Sequence, residues 1–299
     1  MFELYRQCNL CPRECGADRL AGRTGVCGMD AELRLARAAL HYWEEPCISG
    51  KEGSGTVFFS GCTLGCVYCQ NAEISGGFGK TVGTERLTEI FLELQEAGAN
   101  NINLVTPTHF VPHIIAAAGA AREKGLKIPF VYNTSGYEKE ETLYMLRGTA
   151  DVFLTDLKYL SEEDAEKLSR ASDYPEKAKK ALDCMVEMTG PPVFDGRGIM
   201  VKGVIVRHLV LPGRGGEAKK VIRYLHDRYG GNVIMSIMNQ YTPQPGSGGY
   251  DAALSAPVSE EEYADVVDYA EGLGIEDAYI QEGGTVSESF IPKFDLTGV

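Results

Sequence analysis

The sequence predicts an α/β protein built around a mostly parallel sheet. Between residues 56 and 243, segments of helical periodicity alternate with short runs rich in β-branched and aromatic residues, which is typical of repeated βα units. The chain has 299 residues, enough for one barrel-sized domain with an appendage or for two smaller domains. Such units either close into a barrel or form an open doubly wound sheet, and periodicity does not separate the two.

The elements follow one another regularly along the chain. Six strands are predicted within 56–61, 101–110, 128–137, 151–160, 199–213 and 232–243. Helices are predicted at 84–99, 113–125, 139–149 and 216–230, with two more between residues 160 and 199. After a Gly- and Ser-rich linker, Ser259 and Glu262 form a capping box that begins a further helix. We therefore expect an N-terminal extension (1–50), a core (51–245) and a C-terminal extension (246–299).

Composition and charge narrow the classes of function. With a formal net charge of -13 and dispersed Lys and Arg, the chain offers no basic surface for a phosphate backbone, so we expect no nucleic-acid partner. No stretch approaches the length of apolar residues needed to cross a membrane, and the N-terminus does not resemble a secretory signal. We expect a cytoplasmic protein without a membrane role.

Seven of the nine cysteines fall into two sets. The first set is Cys8, Cys11, Cys15 and Cys27, and the second is Cys62, Cys66 and Cys69. In a reducing cytoplasm, clustered thiols are more often metal ligands or catalytic groups than disulfides. Cys47 and Cys184 stand apart, and we expect them to pack as small apolar side chains.

The second set has the spacing C-x3-C-x2-C and follows directly after the run 56–61. Three thiolates on one loop would leave one iron of a four-iron cluster open to a substrate or cofactor. The alternatives are a zinc site whose fourth ligand comes from elsewhere in the chain, and a chance cluster of cysteines.

The first set provides four thiols within twenty residues, which suggests a closed site. Zinc is held by such short cysteine pairs, whereas a cysteine followed by proline, as in Cys11-Pro12, also occurs in iron–sulfur sequences. A possible second metal, zinc or a second iron–sulfur cluster, and a metal-free cysteine-rich flap with reactive thiols all remain open.

The second set closely resembles the cluster motif of the radical S-adenosylmethionine enzymes, in which an aromatic residue, here Tyr68, precedes the last cysteine. The continuation Cys69-Gln70-Asn71 is similar to the branch of pyruvate formate-lyase activating enzyme, and most similar to relatives with an N-terminal cysteine-rich extension. Over residues 51–245 this resemblance implies a partial (β/α)6 TIM-like barrel.

The resemblance also implies the chemistry. A [4Fe-4S] cluster on the second set would bind S-adenosylmethionine, and a flavodoxin or ferredoxin-type donor would supply one electron. The resulting radical would take a hydrogen atom from a glycine of a partner glycyl radical enzyme in an oxygen-sensitive reaction. Radical modification of a peptide or small molecule is the alternative, and a non-catalytic iron–sulfur electron carrier is a further one.

Polar residues at the predicted strand ends match the family's cofactor-binding positions in part. The second strand ends in Thr106-Pro107-Thr108, where the family has a Gly-Gly-Glu stretch. The third strand carries Asn133 in place of an acid. The cofactor-binding residues that the resemblance implies are Tyr68, Asn71, Thr106, Thr108, Asn133, Thr134, Ser135, Asp156, Lys158, Arg207, Asn239 and Gln240.

Overall fold

The computed structural model describes residues 1–275, 277–281 and 292–299 of the chain. Its strands are β1 (Arg34–His41), β2 (Ser54–Phe59), β3 (Lys80–Thr81), β4 (Ile102–Val105), β5 (Phe130–Thr134), β6 (Val152–Asp156), β7 (Val193–Phe194), β8 (Met200–Leu209), β9 (Ile234–Met238) and β10 (Ala278–Ile280). Its α-helices are α1 (Pro46–Ser49), α2 (Ala72–Ser75), α3 (Thr84–Glu96), α4 (Val111–Glu123), α5 (Glu140–Met145), α6 (Glu162–Ser169), α7 (Tyr174–Thr189), α8 (Gly215–Tyr229) and α9 (Glu260–Gly272). Short 3-10 helices lie at Phe2–Tyr5, Arg19–Ala21, Thr108–Phe110, Gly230–Asn232, Ser247–Gly249 and Ala252–Ser255.

The strands form one sheet in the order β10-β9-β8-β6-β5-β4-β2-β1-β3, with β7 paired to β8. The pairs from β2 through β10 along this path are parallel, whereas β1 runs antiparallel to β2 and β3 antiparallel to β1. Within the described residues the two ends of the sheet do not pair, so the barrel stays unclosed. The predicted α/β fold with a partial barrel is confirmed.

Helices cover the outer face of the sheet because their apolar residues recur at helical spacing. In α3, Leu87, Ile90, Phe91 and Leu94 are buried on one side. Phe91 meets Phe130 of β5 edge-on, with ring centroids 5.2 Å apart. Each such buried side chain contributes roughly 1.5–3 kcal/mol relative to an exposed one, so this contact fixes the helix against the strands.

The inner face of the sheet changes character along the strands. Alternate residues of a strand share a face, so Val131 and Asn133 of β5 point to the same side, as do Leu154 and Asp156 of β6. Val131 and Leu154 pack against Ile48 of α1, which closes the amino-terminal end of the interior with apolar side chains. The polar residues nearer the carboxyl ends are left facing the cavity described below.

Each of the six predicted strands corresponds to an observed one: β2, β4, β5, β6, β8 and β9. The sequence did not predict β1 within 1–50 or β10 near the C-terminus. At the start of α9, Ser259 accepts a hydrogen bond from the Glu262 N–H at 3.1 Å, as the capping box predicts. Among the described residues, no helix combines the length and the apolar character needed to cross a membrane.

Candidate active site

The loop after β2 carries the three cysteines of the second set. Gly61 begins it in the left-handed region (φ 85°), and a Cβ there would lie 2.5 Å from Cγ of Met29 and 2.8 Å from the Cys27 carbonyl oxygen. Only glycine therefore lets the loop pass this close to the N-terminal segment. Beyond Gly61, all three thiols line one cavity at the carboxyl edge of the sheet; they are Cys62, Cys66 and Cys69.

Two of these thiols receive hydrogen bonds. The Leu64 N–H donates to Sγ of Cys62 at 3.4 Å, and the Ser169 hydroxyl donates to Sγ of Cys66 at 3.0 Å. Burial raises the pKa of the Cys66 thiol, and it raises the pKa of Cys69 to about 12. Ionised thiols at this depth need a cationic partner, and the hydrogen bonds stabilise the charged sulfur.

These donors fit an iron–sulfur cluster. Iron–sulfur clusters are held by cysteine thiolates, and hydrogen bonds to the sulfurs tune them. Within the described ranges, no group of three or more Cys, His, Asp or Glu side chains is arranged to hold a metal ion in this structure.

A network of buried charges lies beside the thiols. Arg207 of β8 donates through Nε to Asp156 Oδ1 at 3.1 Å and through Nη1 to Glu44 Oε2 at 3.2 Å. Its Nη2 donates to Asn133 Oδ1 at 2.6 Å. Lys158 donates to the other oxygen of Asp156 at 2.7 Å. Burial would raise the pKa of Asp156, but Lys158 and Arg207 together hold it below its ordinary value.

Asp156, Lys158 and Arg207 of this network share one cavity with the thiols. Its lining also includes the end of β5, where Asn133, Thr134 and Ser135 follow one another, and Thr106 at the end of β4. Cations and carboxylates side by side match the amino-acid part of S-adenosylmethionine, which carries a carboxylate, an ammonium and a sulfonium. The residues present thus fit this cofactor.

Thr106 adopts an uncommon backbone conformation for a β-branched residue, with φ at 58°. Its N–H donates to the Asn133 carbonyl at 2.9 Å, which holds the strand end in place. Such strain clusters at functional sites, and here it lies at the cavity.

Thr108, by contrast, turns away from the cavity. It is buried, and its hydroxyl donates to Glu138 Oε1 at 2.6 Å. The Thr134 hydroxyl donates to the same oxygen. Burial raises the pKa of Glu138 to about 7. Glu138 follows the β5 turn and was not expected from the sequence, since its partners come from β5 and from the 3-10 helix after β4.

The remaining predicted residues differ in their placement. Tyr68, Asn71 and Gln240 line the part of the cavity next to Cys66 and Cys69. Tyr68 is buried, and its hydroxyl accepts a hydrogen bond from Tyr159 at 2.5 Å. Asn239 is not among the described residues that line these cavities. Its backbone N–H donates to Gln281 Oε1 at 3.0 Å.

Two acids that sequence reasoning missed complete the interior. Glu44 and Glu45 precede α1, and both line a cavity together with Asn133 and Arg207. Glu44 accepts a hydrogen bond from Asn103 Nδ2 at 3.0 Å as well as from Arg207. Burial raises the pKa of both carboxyls, although Arg207 opposes it. The sequence feature that could have indicated these residues is a pair of acids directly before the proline that begins a buried helix.

The four cysteines of the first set also gather in one place. A Cβ on Gly25 would lie 3.1 Å from Sγ of Cys15 and 3.5 Å from Sγ of Cys27. Cys11 interacts electrostatically with Cys27 and Cys8. Three of these cysteines are buried, and Cys15 is exposed.

An unclosed parallel barrel, with thiols and charged side chains at its carboxyl edge, defines an α/β-barrel enzyme class in which a cofactor binds above the strands. Residues 56–225, more than half of the chain, match the family model described as the Radical SAM superfamily, and the chain belongs to this family. The predicted family, with its S-adenosylmethionine and iron–sulfur chemistry, is thereby confirmed. Its branch stays a prediction.

Individual relatives are distant. The chain is 28% identical over 253 residues to an uncharacterized protein of Methanocaldococcus jannaschii, covering 81% of this chain and 68% of the relative. SuiB of Streptococcus suis, solved with S-adenosylmethionine, matches 75% of this chain at 11% identity with a TM-score of 0.49. The hydrogenase maturase HydG of Carboxydothermus hydrogenoformans matches 79% at 14% identity with a TM-score of 0.45. The chain spans 46% of SuiB and 59% of HydG.

Proposed function

We propose that this protein cleaves S-adenosylmethionine reductively and abstracts a hydrogen atom from a glycine of a partner glycyl radical enzyme. The observation that carries the proposal is the shared cavity, in which the thiols of Cys62, Cys66 and Cys69 adjoin the charges of Asp156, Lys158 and Arg207. When bound, the cluster and S-adenosylmethionine supply the one-electron cleavage that yields methionine and a 5'-deoxyadenosyl radical.

The chain's own residues bind and orient the reactants. Lys158 and Arg207 present positive charge for the methionine carboxylate, while Asp156 and Glu44 keep both cations fixed through hydrogen bonds. The Thr106 hydroxyl takes the place of the missing Gly-Gly-Glu stretch as an acceptor for the ammonium.

Other lining residues hold the rest of the cofactor. Asn133 and Ser135 provide polar groups at the end of β5, and Asn71 and Gln240 provide them on the adenosine side. Tyr68 closes the wall beside Cys66 with its ring, which helps to exclude water from the reacting atoms.

The shape of the interior supports a polypeptide substrate. A cavity of about 310 Å³ leads from Trp43 and Ile280, at the unpaired side of the barrel, to Arg207, Asn71 and Gln240. Trp43 is 57% exposed, so the entrance carries apolar surface that a docked protein segment would cover. The similarity of Cys69-Gln70-Asn71 to the activating-enzyme branch supports a glycine as the hydrogen donor.

The test is anaerobic reconstitution with iron and sulfide, then addition of a one-electron reductant and S-adenosylmethionine. We expect 5'-deoxyadenosine from the wild-type protein and from Cys184→Ser, and none from Cys66→Ala. Intact clusters without 5'-deoxyadenosine would contradict the radical chemistry and favour an electron carrier.

The substrate is tested separately. Candidate glycyl radical enzymes are added to the reduced protein with S-adenosylmethionine, and spin resonance monitors a glycine-centred radical. We expect the doublet of a glycyl radical on one candidate. If 5'-deoxyadenosine forms but no candidate gives the signal, a peptide or small molecule is the substrate instead.

A further inference from the structure

The N-terminal cysteine set has a buried cation beside it. Arg19 is 1% exposed, and its Nη1 donates to Sγ of Cys8 at 3.6 Å. Its other hydrogen bonds go to neutral carbonyls, those of Asp30 and His109. Within the described part of the chain, no carboxylate pairs with this guanidinium.

A buried charge requires compensation. The rings of Tyr5 and Phe110, whose centroids lie 4.4 Å and 5.5 Å from the guanidinium carbon, offer only the weaker attraction of π systems. The remaining partner is the group of four sulfurs. Thiolates around a metal centre carry the negative charge that balances Arg19, whereas four neutral thiols do not.

The first set also contacts the second set directly. The Cys62 N–H donates to the Cys27 carbonyl at 3.3 Å, so a ligand of one set is hydrogen-bonded to a ligand of the other. Arg13, which lies between Cys11 and Cys15, donates to the carbonyls of Thr63 and Leu64, each at 3.0 Å. The cluster loop is thus built against the N-terminal segment.

The four N-terminal cysteines differ in their exposure to solvent. Cys15 is exposed, whereas Cys27, the residue bonded to Cys62, is buried. The set therefore reaches from the protein surface to the first atoms of the cluster loop. The route from Cys27 to Cys62 runs through covalent bonds and one hydrogen bond.

We infer that Cys8, Cys11, Cys15 and Cys27 hold a second iron–sulfur cluster that passes electrons to the cluster on Cys62, Cys66 and Cys69. The Cys11-Pro12 pair and the contact with Cys62 favour iron over zinc, which has no redox chemistry. The relay rests on the proposed function, because that function consumes one electron per turnover.

The electron count is simple. A low-potential donor, a reduced flavodoxin or ferredoxin-type protein, gives one electron to the second cluster and is itself oxidised. This N-terminal cluster passes that electron to the cluster on Cys62, Cys66 and Cys69 and returns to its oxidised state. No bond forms or breaks in this transfer.

The site is tested without S-adenosylmethionine. Cys62, Cys66 and Cys69 are replaced together by Ala, and iron, sulfide and zinc are measured after anaerobic reconstitution. We expect about four iron atoms per chain and the absorption of an iron–sulfur cluster. Zinc alone, or no metal, in this variant would overturn the inference. This result does not depend on whether the wild-type protein cleaves S-adenosylmethionine.

The relay is tested by the rate at which the cluster on Cys62, Cys66 and Cys69 is reduced. Cys15→Ser, and separately Cys8→Ser with Cys11→Ser, are mixed with reduced flavodoxin and followed by rapid-freeze spin resonance. We expect reduction slower by at least an order of magnitude than in Cys184→Ser, with about four iron atoms retained on the second set. An unchanged rate in variants that lack the N-terminal cluster would overturn the relay. If wild-type reduction is normal but no 5'-deoxyadenosine forms, the proposed function fails instead.

Discussion

The Ser169 hydroxyl donates a hydrogen bond to the Cys66 sulfur, with 3.0 Å between Oγ and Sγ. Ser169 is the last residue of α6, far from Cys66 in sequence, and is fully buried. Its hydroxyl also meets that of Tyr159 at 3.1 Å, which limits its rotation. A barrel helix thus sets the electrostatics of a cluster ligand.

We expect Ser169→Ala to lower the reduction potential of the cluster on Cys62, Cys66 and Cys69. The hydrogen bond stabilises negative charge on sulfur, so its loss makes the added electron less favourable. A redox titration followed by spin resonance measures the shift. Ser60→Ala is the matched control, because the buried Ser60 hydroxyl donates to the Phe78 carbonyl and not to a thiol. Equal potentials in both variants would argue against this role.

We expect Gly61→Ala to reduce the iron content of the reconstituted protein. The added methyl group meets Met29 and the Cys27 carbonyl, so the loop or the N-terminal segment must move. Gly65→Ala is the control, since Gly65 also has a positive φ but no atom lies within 4 Å of its added Cβ. The control carries only the conformational cost of about 1–2 kcal/mol. Iron analysis and thermal unfolding compare the two variants. Equal iron loss in both would show that the contacts with Met29 and the Cys27 carbonyl do not matter.

We expect Lys158→Met to weaken S-adenosylmethionine binding. Loss of a charge-assisted hydrogen bond costs about 1.5–3 kcal/mol, and Asp156 keeps Arg207 as its partner. Anaerobic calorimetry measures the affinity of the reconstituted protein. Lys180→Met removes an exposed lysine that pairs with Glu176 on α7 and should bind the cofactor normally. Unchanged affinity in Lys158→Met would remove this residue from the site.

We expect Glu138 to make the protein less stable as pH rises. Its pKa is raised to about 7 by burial, so between its unfolded pKa near 4.5 and about 7 the folded chain holds a proton that the unfolded chain has lost. The free energy of unfolding falls across that window by an amount on the order of 3 kcal/mol.

Glu138→Gln should remove the Glu138 contribution to this fall, because its amide oxygen still accepts from Thr108 and Thr134 without ionising. The buried carboxyls of Glu44 and Glu45, whose pKa values are also raised, keep their own contributions. Urea unfolding at several pH values between 4.5 and 8 gives the slope. Glu176→Gln, at an exposed helix position, should keep the wild-type slope. A slope as steep in Glu138→Gln as in the wild type would assign the fall to other groups.

The sequence predicted the sheet because most of the parallel strands are buried along most of their length. In β4 and β9, for example, all residues are buried, so the apolar runs stand out between helical segments. The cysteine loop was equally visible, since its ligands are close together in the chain. β10 was missed because three residues carry too little pattern.

The charged interior was harder to predict. Glu44 meets Arg207 only because the segment between β1 and α1 folds under the sheet, and no local pattern records that path. Glu138 and Arg19 depend in the same way on partners from distant parts of the chain. Periodicity identifies which residues are buried, but it does not identify which buried polar groups meet.

Arg13 connects more than the two cysteine sets. Besides the carbonyls of Thr63 and Leu64, its guanidinium binds those of Ser169 and Arg170 at the carboxyl end of α6. One side chain thus joins the N-terminal segment, the cluster loop and a barrel helix. A loop held at so many points changes shape little when its charge changes. The reorganisation energy for reducing the cluster on Cys62, Cys66 and Cys69 should therefore be small. The N-terminal segment would then determine the rate of this first electron transfer.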